Sequence, residues 1–168
     1  MSDKTRQRTK NVFRILFVVY MIALFYFLFF SERYGRTIRS TEYRYNLEPF
    51  NEIKRFIQYR EIVGTESFVL NILGNVIAFT PFGFCVPIIR KQRIKRQTKS
   101  VTLKTLRGVG MLLNVTFLSL ELSLFIETIQ LITRVGCFDV DDLMMNTLGG
   151  MLGCLVYQIC HFIIKRRG

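Results

Sequence analysis

The sequence predicts an all-α, polytopic membrane protein: a bundle of four transmembrane helices, with an interfacial helix between the first and second. Half of the 168 residues are hydrophobic and 16 are Phe, which is too apolar for an ordinary soluble protein of this size. Four long runs carry little or no charge, and each approaches or exceeds the ~20 residues that a helix needs to cross a bilayer. The basic residues flank these runs, as they do in membrane proteins. The length is that of a single domain over 1–168.

The first span is predicted over 12–30, after a polar and basic segment over 1–11. Arg14 is the charged residue of this run and lies near one end, where its side chain can extend to the interface. A cleaved signal peptide is the alternative interpretation. The run is long for a signal peptide, however, and SERYGR follows it in place of a small-residue cleavage site. We therefore predict an uncleaved first helix.

A polar segment of mixed charge follows the first span. Within it, Pro49 suits the first turn of a helix. Phe50, Ile53 and Ile57 then follow helical spacing, with basic residues outside that stripe. This pattern predicts a short helix over 49–60 that lies in the membrane interface. An ordinary surface loop is the alternative.

The second span is predicted over 68–89, which contains no charged residue. Asn71 and Asn75 are one turn apart on one face, so they either bridge to another helix or line a site. Pro81 and Gly83 predict a kink or a loosening of the helix beyond its middle.

The third and fourth spans are predicted over 108–133 and 143–164, joined by a loop over 134–142. Before the third span, the segment over 90–107 carries eight Lys and Arg residues and no acid. This segment and both termini are basic, which places all three on the cytoplasmic side of the membrane. We attribute the net charge of +12 to this orientation, with membrane lipids as partners and no nucleic acid.

Polar residues recur at the ends of these spans with matching spacing. The third span ends with one trio at i, i+3 and i+7, and a second trio with the same spacing follows the loop. Such steps place each trio on one helix face, and a short loop lets the two faces close against each other. Three helices then carry carboxylates and amides at a similar depth, near the outer surface. The candidate pocket comprises Asn71, Asn75, Ser123, Glu127, Gln130, Arg134, Asp139, Asp142 and Asn146.

Three interpretations of this pocket remain open. The polar groups could fix the register of the bundle, or bind a polar head group or glycan. Alternatively, Glu127, Asp139 and Asp142 could act as acid and base or hold a divalent cation. His161 lies near the opposite membrane face, so a Ser-His-Asp or Cys-His arrangement is not expected here. We favour binding, because carboxylates and amides suit the hydroxyl and amide groups of sugars and peptides.

The remaining ionisable and sulfur groups predict no further site. The four cysteines contain no CxxC pair, so we expect no disulfide, no metal centre and no cofactor. Glu121 lies on a different face of the third span from Glu127, and we expect it to be protonated or paired within the bundle.

An ordered set of motifs resembles the VanZ-like family of small bacterial membrane proteins, over about residues 10–164. The motifs are Asn46-Leu-x-Pro49-Phe50, Asn71-x3-Asn75-x3-Phe79-x-Pro81-x-Gly83, Ser123-x3-Glu127-x2-Gln130, Asp139-x2-Asp142-x3-Asn146, and Gly149-Gly150 with Gly153. Arg134 departs from the pattern, because in many members the arginine follows a glycine and lies closer to the first aspartate.

The resemblance implies a multi-span protein of the bacterial cytoplasmic membrane, in a Gram-positive organism. The founding member of the family is associated with resistance to teicoplanin, a glycopeptide that acts on wall precursors at the outer membrane face. The expected function is therefore an outward-facing pocket for an envelope lipid, a lipid-linked wall precursor or a glycopeptide, in resistance or envelope homeostasis. The alternative is a membrane-embedded hydrolase or transferase that uses Glu127 and Asp142, with or without a cation.

The charge asymmetry predicts opposite accessibility for the two polar segments that precede the second and third spans. In a variant without Cys137, we expect Ser40→Cys to react with an impermeant thiol reagent in intact cells, and Gln97→Cys to react only after permeabilisation. Labelling of position 97 alone in intact cells would invert the topology.

Overall fold

A computed structural model of the chain describes residues 3–30, 42–58, 65–90 and 101–167. It contains five helices and one pair of two-residue strands within those ranges. In chain order, the elements are α1 (Asp3–Phe30), β1 (Tyr45–Asn46), α2 (Asn51–Gln58), α3 (Thr65–Ile89), α4 (Val101–Thr133), β2 (Phe138–Asp139) and α5 (Val140–Arg167).

The predicted all-α class is confirmed, and three of the helices are long and apolar enough to cross a membrane. These stretches are Asn11–Phe30, Leu106–Thr133 and Val140–Arg166. In α3, the described residues give a shorter apolar stretch, Leu73–Ile89, which spans ~25 Å at ~1.5 Å per residue. The structure thus supports three spans by length, together with a shorter apolar helix where the second span was predicted.

The helices extend beyond the predicted spans. α1 begins at Asp3 and α4 at Val101, so basic residues assigned to a tail and to a loop are helical. Hydropathy marks where a helix leaves the hydrocarbon, and Lys and Arg are good helix formers that let it continue. α5 begins at Val140 rather than at 143. The loop predicted over 134–142 is therefore shorter than expected.

α5 lies at the centre of the bundle, with α3 and α4 packed along it and α1 joined mainly through α3. Two glycines of α5 allow the close approach of α3. A Cβ atom at Gly149 would overlap the carbonyl oxygen of Val76, and one at Gly153 would overlap that of Thr80. Small residues at such positions let helix backbones touch, which is how helices in membranes gain contact area.

α3 is one continuous helix through Pro81 and Pro87, so the irregularity predicted at Pro81 and Gly83 does not break it. Pro81 is exposed, whereas Gly83 is buried where a Cβ atom would overlap the carbonyl oxygen of Gly150. The Tyr20 hydroxyl of α1 donates a hydrogen bond to the Ala78 carbonyl, which ties α1 to this part of α3.

The segment that contains β1 and α2 crosses the end of the α4–α5 hairpin, and we call residues 42–58 the strap. β1 pairs with β2 in parallel, with Tyr45 opposite Phe138 and Asn46 opposite Asp139. The sequence did not predict this pairing, because two-residue strands leave no periodicity. The helix predicted over 49–60 begins at Asn51, so Pro49 precedes the helix instead of starting it.

Several predicted features involve residues that the structure does not describe. Residues 59 and 60, most of the basic segment over 90–107, and the side chains of Ile53, Ile57 and Asn71 lie outside the described part of the chain.

Because α3 and α5 approach so closely, one added methyl group at a glycine between them should have a large effect on stability. Gly153→Ala should lower the free energy of unfolding by about 1–3 kcal/mol, because overpacking forces well-packed elements apart. The measurement is the thermal melting temperature in detergent.

Gly110→Ala is the matched control, since a Cβ atom there meets nothing within 4 Å. It should leave stability unchanged or raise it by up to about 1 kcal/mol through helix propensity. Equal melting temperatures for Gly153→Ala and the wild type would contradict the packing described above.

Candidate functional site

Buried polar side chains gather where the end of α4, the start of α5, the middle of α3 and the strap meet. Most are almost inaccessible: Glu127 is 2 % exposed and Asn146 is 1 % exposed. We call this group the polar cluster. Its members are Asn46, Asn75, Ser123, Glu127, Gln130, Asp139, Asp141, Asp142 and Asn146.

Glu127 connects the two helices of the hairpin. It lies on α4, six residues before that helix ends, and its Oε2 accepts a hydrogen bond from the backbone N–H of Asp139 at 3.1 Å. A hydrogen bond to a charged acceptor is stronger than one between neutral groups. The contact therefore holds the start of α5 against the last turns of α4.

Asp139 is the N-cap of α5 and also anchors the strap. Its Oδ1 accepts from the backbone N–H of Asp141 at 2.8 Å, which is the N-cap bond that starts a helix. Both carboxylate oxygens also accept from Asn46 Nδ2, at 3.2 and 3.3 Å. The sequence placed Asp139 on a helix face, whereas it belongs to β2 and reaches the cluster as a cap.

Burial raises the pKa of the Asp139 carboxyl above its ordinary value of 3.8. The hydrogen bonds from the Asp141 amide and from Asn46 oppose this rise, as does the charge of Arg55, whereas the charge of Asp141 adds to it. Burial dominates, so the site holds this carboxylate at a cost in free energy.

Asp141 is a member of the cluster that the sequence analysis missed. It is 3 % exposed, and its Oδ1 accepts a hydrogen bond from the backbone N–H of Phe50. Phe50 has a left-handed φ of 64°, so this bond fixes the turn that leads into α2. Neighbouring helical residues point about 100° apart, which turns Asp141 toward the strap while Asp142 faces α3. The sequence feature that could have identified Asp141 is the group of three acids at the start of α5, since acidic residues favour a helix N-terminus.

Asn75 and Asp142 join α3 to α5. The Nδ2 group of Asn75 donates a hydrogen bond to Asp142 Oδ1. The sequence placed these two residues at the same depth on different helices, and the structure brings their side chains together. The position of the Asn71 side chain is outside the described residues.

Among the side chains of the described residues, Asn146 carries the one nitrogen or oxygen atom that is both buried and without a hydrogen-bond partner. Its Nδ2 donates to Ser123 Oγ at 2.9 Å, but no described group donates to its Oδ1. Ser123 is fully buried. An unpaired buried acceptor of this kind costs about 1–3 kcal/mol.

Gln130 and Arg134 lie at the edges of the cluster and diverge from each other. Gln130 Nε2 donates to the Leu28 carbonyl at 3.0 Å, which fixes the end of α1. Arg134 lies beyond the end of α4 with a left-handed φ of 57°, and its guanidinium lies 4.5 Å from the centre of the Tyr43 ring. Arg134 therefore does not continue the helix face of Glu127 and Gln130, because the helix ends at Thr133.

The polar cluster contains many hydrogen-bond acceptors. Within the described ranges, no three His, Cys, Asp or Glu side chains lie close enough together to hold a metal ion. Glu127 and Asp142 contact different partners, the Asp139 amide and Asn75. The cluster offers carboxylate and amide oxygens to a molecule that carries O–H or N–H donors.

The chain is similar to a known protein family and to a curated protein. The sequence profile of the VanZ/LLP1 family matches residues 17–161. Protein VanZ of Enterococcus faecium is 28 % identical over 150 residues, which cover 89 % of this chain and 76 % of that protein. No solved structure matches the chain significantly.

The raised pKa of Asp139 predicts a pH dependence of stability. The folded protein binds this proton more tightly than the unfolded chain, so the contribution of Asp139 is greatest below pH ~3.9. It is lost as the pH rises through the raised value. On lowering the pH from 7 toward 4, the melting temperature of the wild type should therefore rise relative to that of Asp139→Asn, which lacks the titrating group. A constant difference between the two across this range would contradict the direction of the pKa shift.

Proposed function

The chain belongs to the VanZ/LLP1 family and is a multi-pass membrane protein, and from that premise we propose that its polar cluster binds a molecule of the cell envelope. The candidates are an envelope lipid, a lipid-linked wall precursor and a glycopeptide antibiotic. The family association with teicoplanin resistance favours this group, because glycopeptides and wall precursors meet at the outer membrane face.

The observation that carries the proposal is the buried Oδ1 of Asn146, to which no described residue donates. The other oxygens of the cluster with contacts described above accept hydrogen bonds from amides of the strap, α3 or the hairpin. An acceptor without a donor beside buried carboxylates is suited to the hydroxyl or amide N–H of a ligand. Such a bond would recover the free energy that the unpaired oxygen costs.

The negative charge of the polar cluster limits which part of a ligand can enter it. Glu127, Asp139, Asp141 and Asp142 concentrate negative charge at one end of the hairpin, and like charges repel strongly where water is scarce. A phosphate is therefore a poor occupant. We propose that the sugar or peptide part of the ligand reaches the cluster, and that any phosphate remains outside it.

The proposed topology places the cluster on the outside of the membrane. In this proposal α3 also crosses the membrane, which brings the number of spans to four, although its described apolar stretch is short. The basic termini lie inside, so the α4–α5 connection faces outward. α2, with Lys54 and Arg55 exposed, lies in the outer interface beside the cluster.

Two isosteric substitutions test the proposal. Glu127→Gln keeps an oxygen for the Asp139 amide, and Asp142→Asn keeps one for Asn75, so both can retain the hydrogen bonds described above. Each variant replaces the second carboxylate oxygen by an NH2 group, which removes the charge and one acceptor. We expect ligand binding, and hence teicoplanin susceptibility or the envelope phenotype of a deletion strain, to change about tenfold or more. Hydrogen bonds to charged groups are worth about 1.5–3 kcal/mol. Melting temperatures should stay near that of the wild type.

Glu48→Gln is the matched control, because it removes an exposed carboxylate from the strap. It should retain full function. Loss of function in step with loss of stability would identify the cluster as a scaffold, and full function in the Glu127→Gln/Asp142→Asn double variant would end the proposal. Profiling of envelope lipids and precursors distinguishes the alternative, since a hydrolase or transferase would leave an altered precursor pool when its carboxylates are removed.

A further inference from the structure

Glu121 lies on the outer face of α4, away from the polar cluster. Its side chain is exposed, although it was expected to be protonated or paired within the bundle. It lies within the apolar stretch Leu106–Thr133, about 18 Å from the nearer end at ~1.5 Å per residue. A glutamate side chain cannot extend that far, so Glu121 meets the hydrocarbon and not the interface.

An ionisable group at this depth is unfavourable in lipid. Such residues almost always face the interior of a bundle or a cavity, where they find polar partners. No hydrogen bond or ion pair joins Glu121 to any other described residue. Another protein surface is therefore needed to cover it.

Two further polar residues share this face. Asn114, Glu121 and Thr128 are spaced seven residues apart, which keeps them within about 20° of one line along a helix for each step. All three are exposed, as are the neighbouring Phe117 and Phe125. We call Asn114, Glu121 and Thr128 the polar seam.

We propose that the polar seam is the interface of a homodimer, in which α4 helices of two copies pack in parallel about a two-fold axis along the membrane normal. All copies insert in the same orientation, so the axis brings each seam residue opposite its own counterpart at the same depth. Two-fold interfaces require such self-complementary surfaces.

The chemistry of the seam matches this symmetry. An amide contains donors and an acceptor, and two facing carboxyl groups can share a proton, so Asn114 and Glu121 can each bond to their own counterparts. The Thr128 hydroxyl donates to the Leu124 carbonyl within α4 at 2.7 Å, which leaves its oxygen as an acceptor. Asn114 Oδ1 accepts from Arg90 Nη1 at 2.9 Å, which leaves the Nδ2 group to donate across the interface. A different partner protein with a single basic residue would pair with Glu121 only, and not with Asn114 or Thr128.

The proposed dimer is independent of the function proposed above. Glu127 lies on the buried side of α4, against Asp139, whereas the seam lies on its exposed side. Dimerisation through the seam leaves the polar cluster uncovered.

Cross-linking in native membranes tests the geometry. In a full-length chain without Cys85, Cys137, Cys154 and Cys160, Phe117→Cys places a thiol beside the seam, and oxidation with copper phenanthroline should yield a disulfide-linked dimer. Leu152→Cys is the control, because this residue is exposed near the middle of the α5 span. It should not cross-link. Equal yields at the two positions, or none at position 117, would overturn the proposal.

The role of the carboxyl is tested in the Phe117→Cys background. Glu121→Leu should lower dimer association about tenfold, the effect expected for one polar contact between membrane helices. Glu121→Gln should retain it, since an amide also pairs with itself. Both variants should keep the wild-type melting temperature when it is measured in detergent at a protein concentration at which the wild type is monomeric, because within one copy the side chain is exposed. Undiminished cross-linking in Glu121→Leu would show that the helices meet without this contact and would overturn its role.

Discussion

The hydrogen bond from the Asp139 amide to Glu127 is the interaction on which the rest of the site depends. It holds the chain against α4 immediately after the hairpin turn, so that Asp139 caps α5 and the next two acids point in different directions. Asp141 then reaches the strap at Phe50, and Asp142 reaches Asn75 on α3. Together with the hydrogen bond from Asn146 to Ser123, this contact fixes the rotation of the start of α5 relative to α4.

The membrane explains why this polar group is so thoroughly bonded. Water is scarce inside a bundle of membrane helices, so each buried amide or carboxylate must find its partner within the protein. The cluster meets this requirement through contacts among three helices and a strap. Asn146 Oδ1 is the exception in the described structure. In a network where other members are paired, an unpaired acceptor gives no gain in stability, and it is the feature on which the proposed binding role rests.

Hydropathy and spacing predicted the parts of the fold that repeat, and failed where single contacts decide the structure. The positions of α1, α4 and α5 followed from long apolar runs, and Asn75, Ser123, Glu127, Asp142 and Asn146 followed from helical spacing. Asp141 and the β1–β2 pairing were missed, because each depends on the strap, whose contacts are distant in sequence. Arg134 was assigned to the face of Glu127 because spacing alone does not show where a helix ends.

α4 carries ionisable residues on two sides, and the same physical rule applies to both. Glu127 lies on the side that faces α5, where the fold itself supplies a backbone donor. Glu121 lies on the opposite, exposed side, where the described fold supplies none. A helix in a membrane gains nothing from an uncovered carboxyl, so the second side requires a partner as the first does. α4 is therefore best understood as a helix between two interfaces, one completed within the chain and one completed by a second copy.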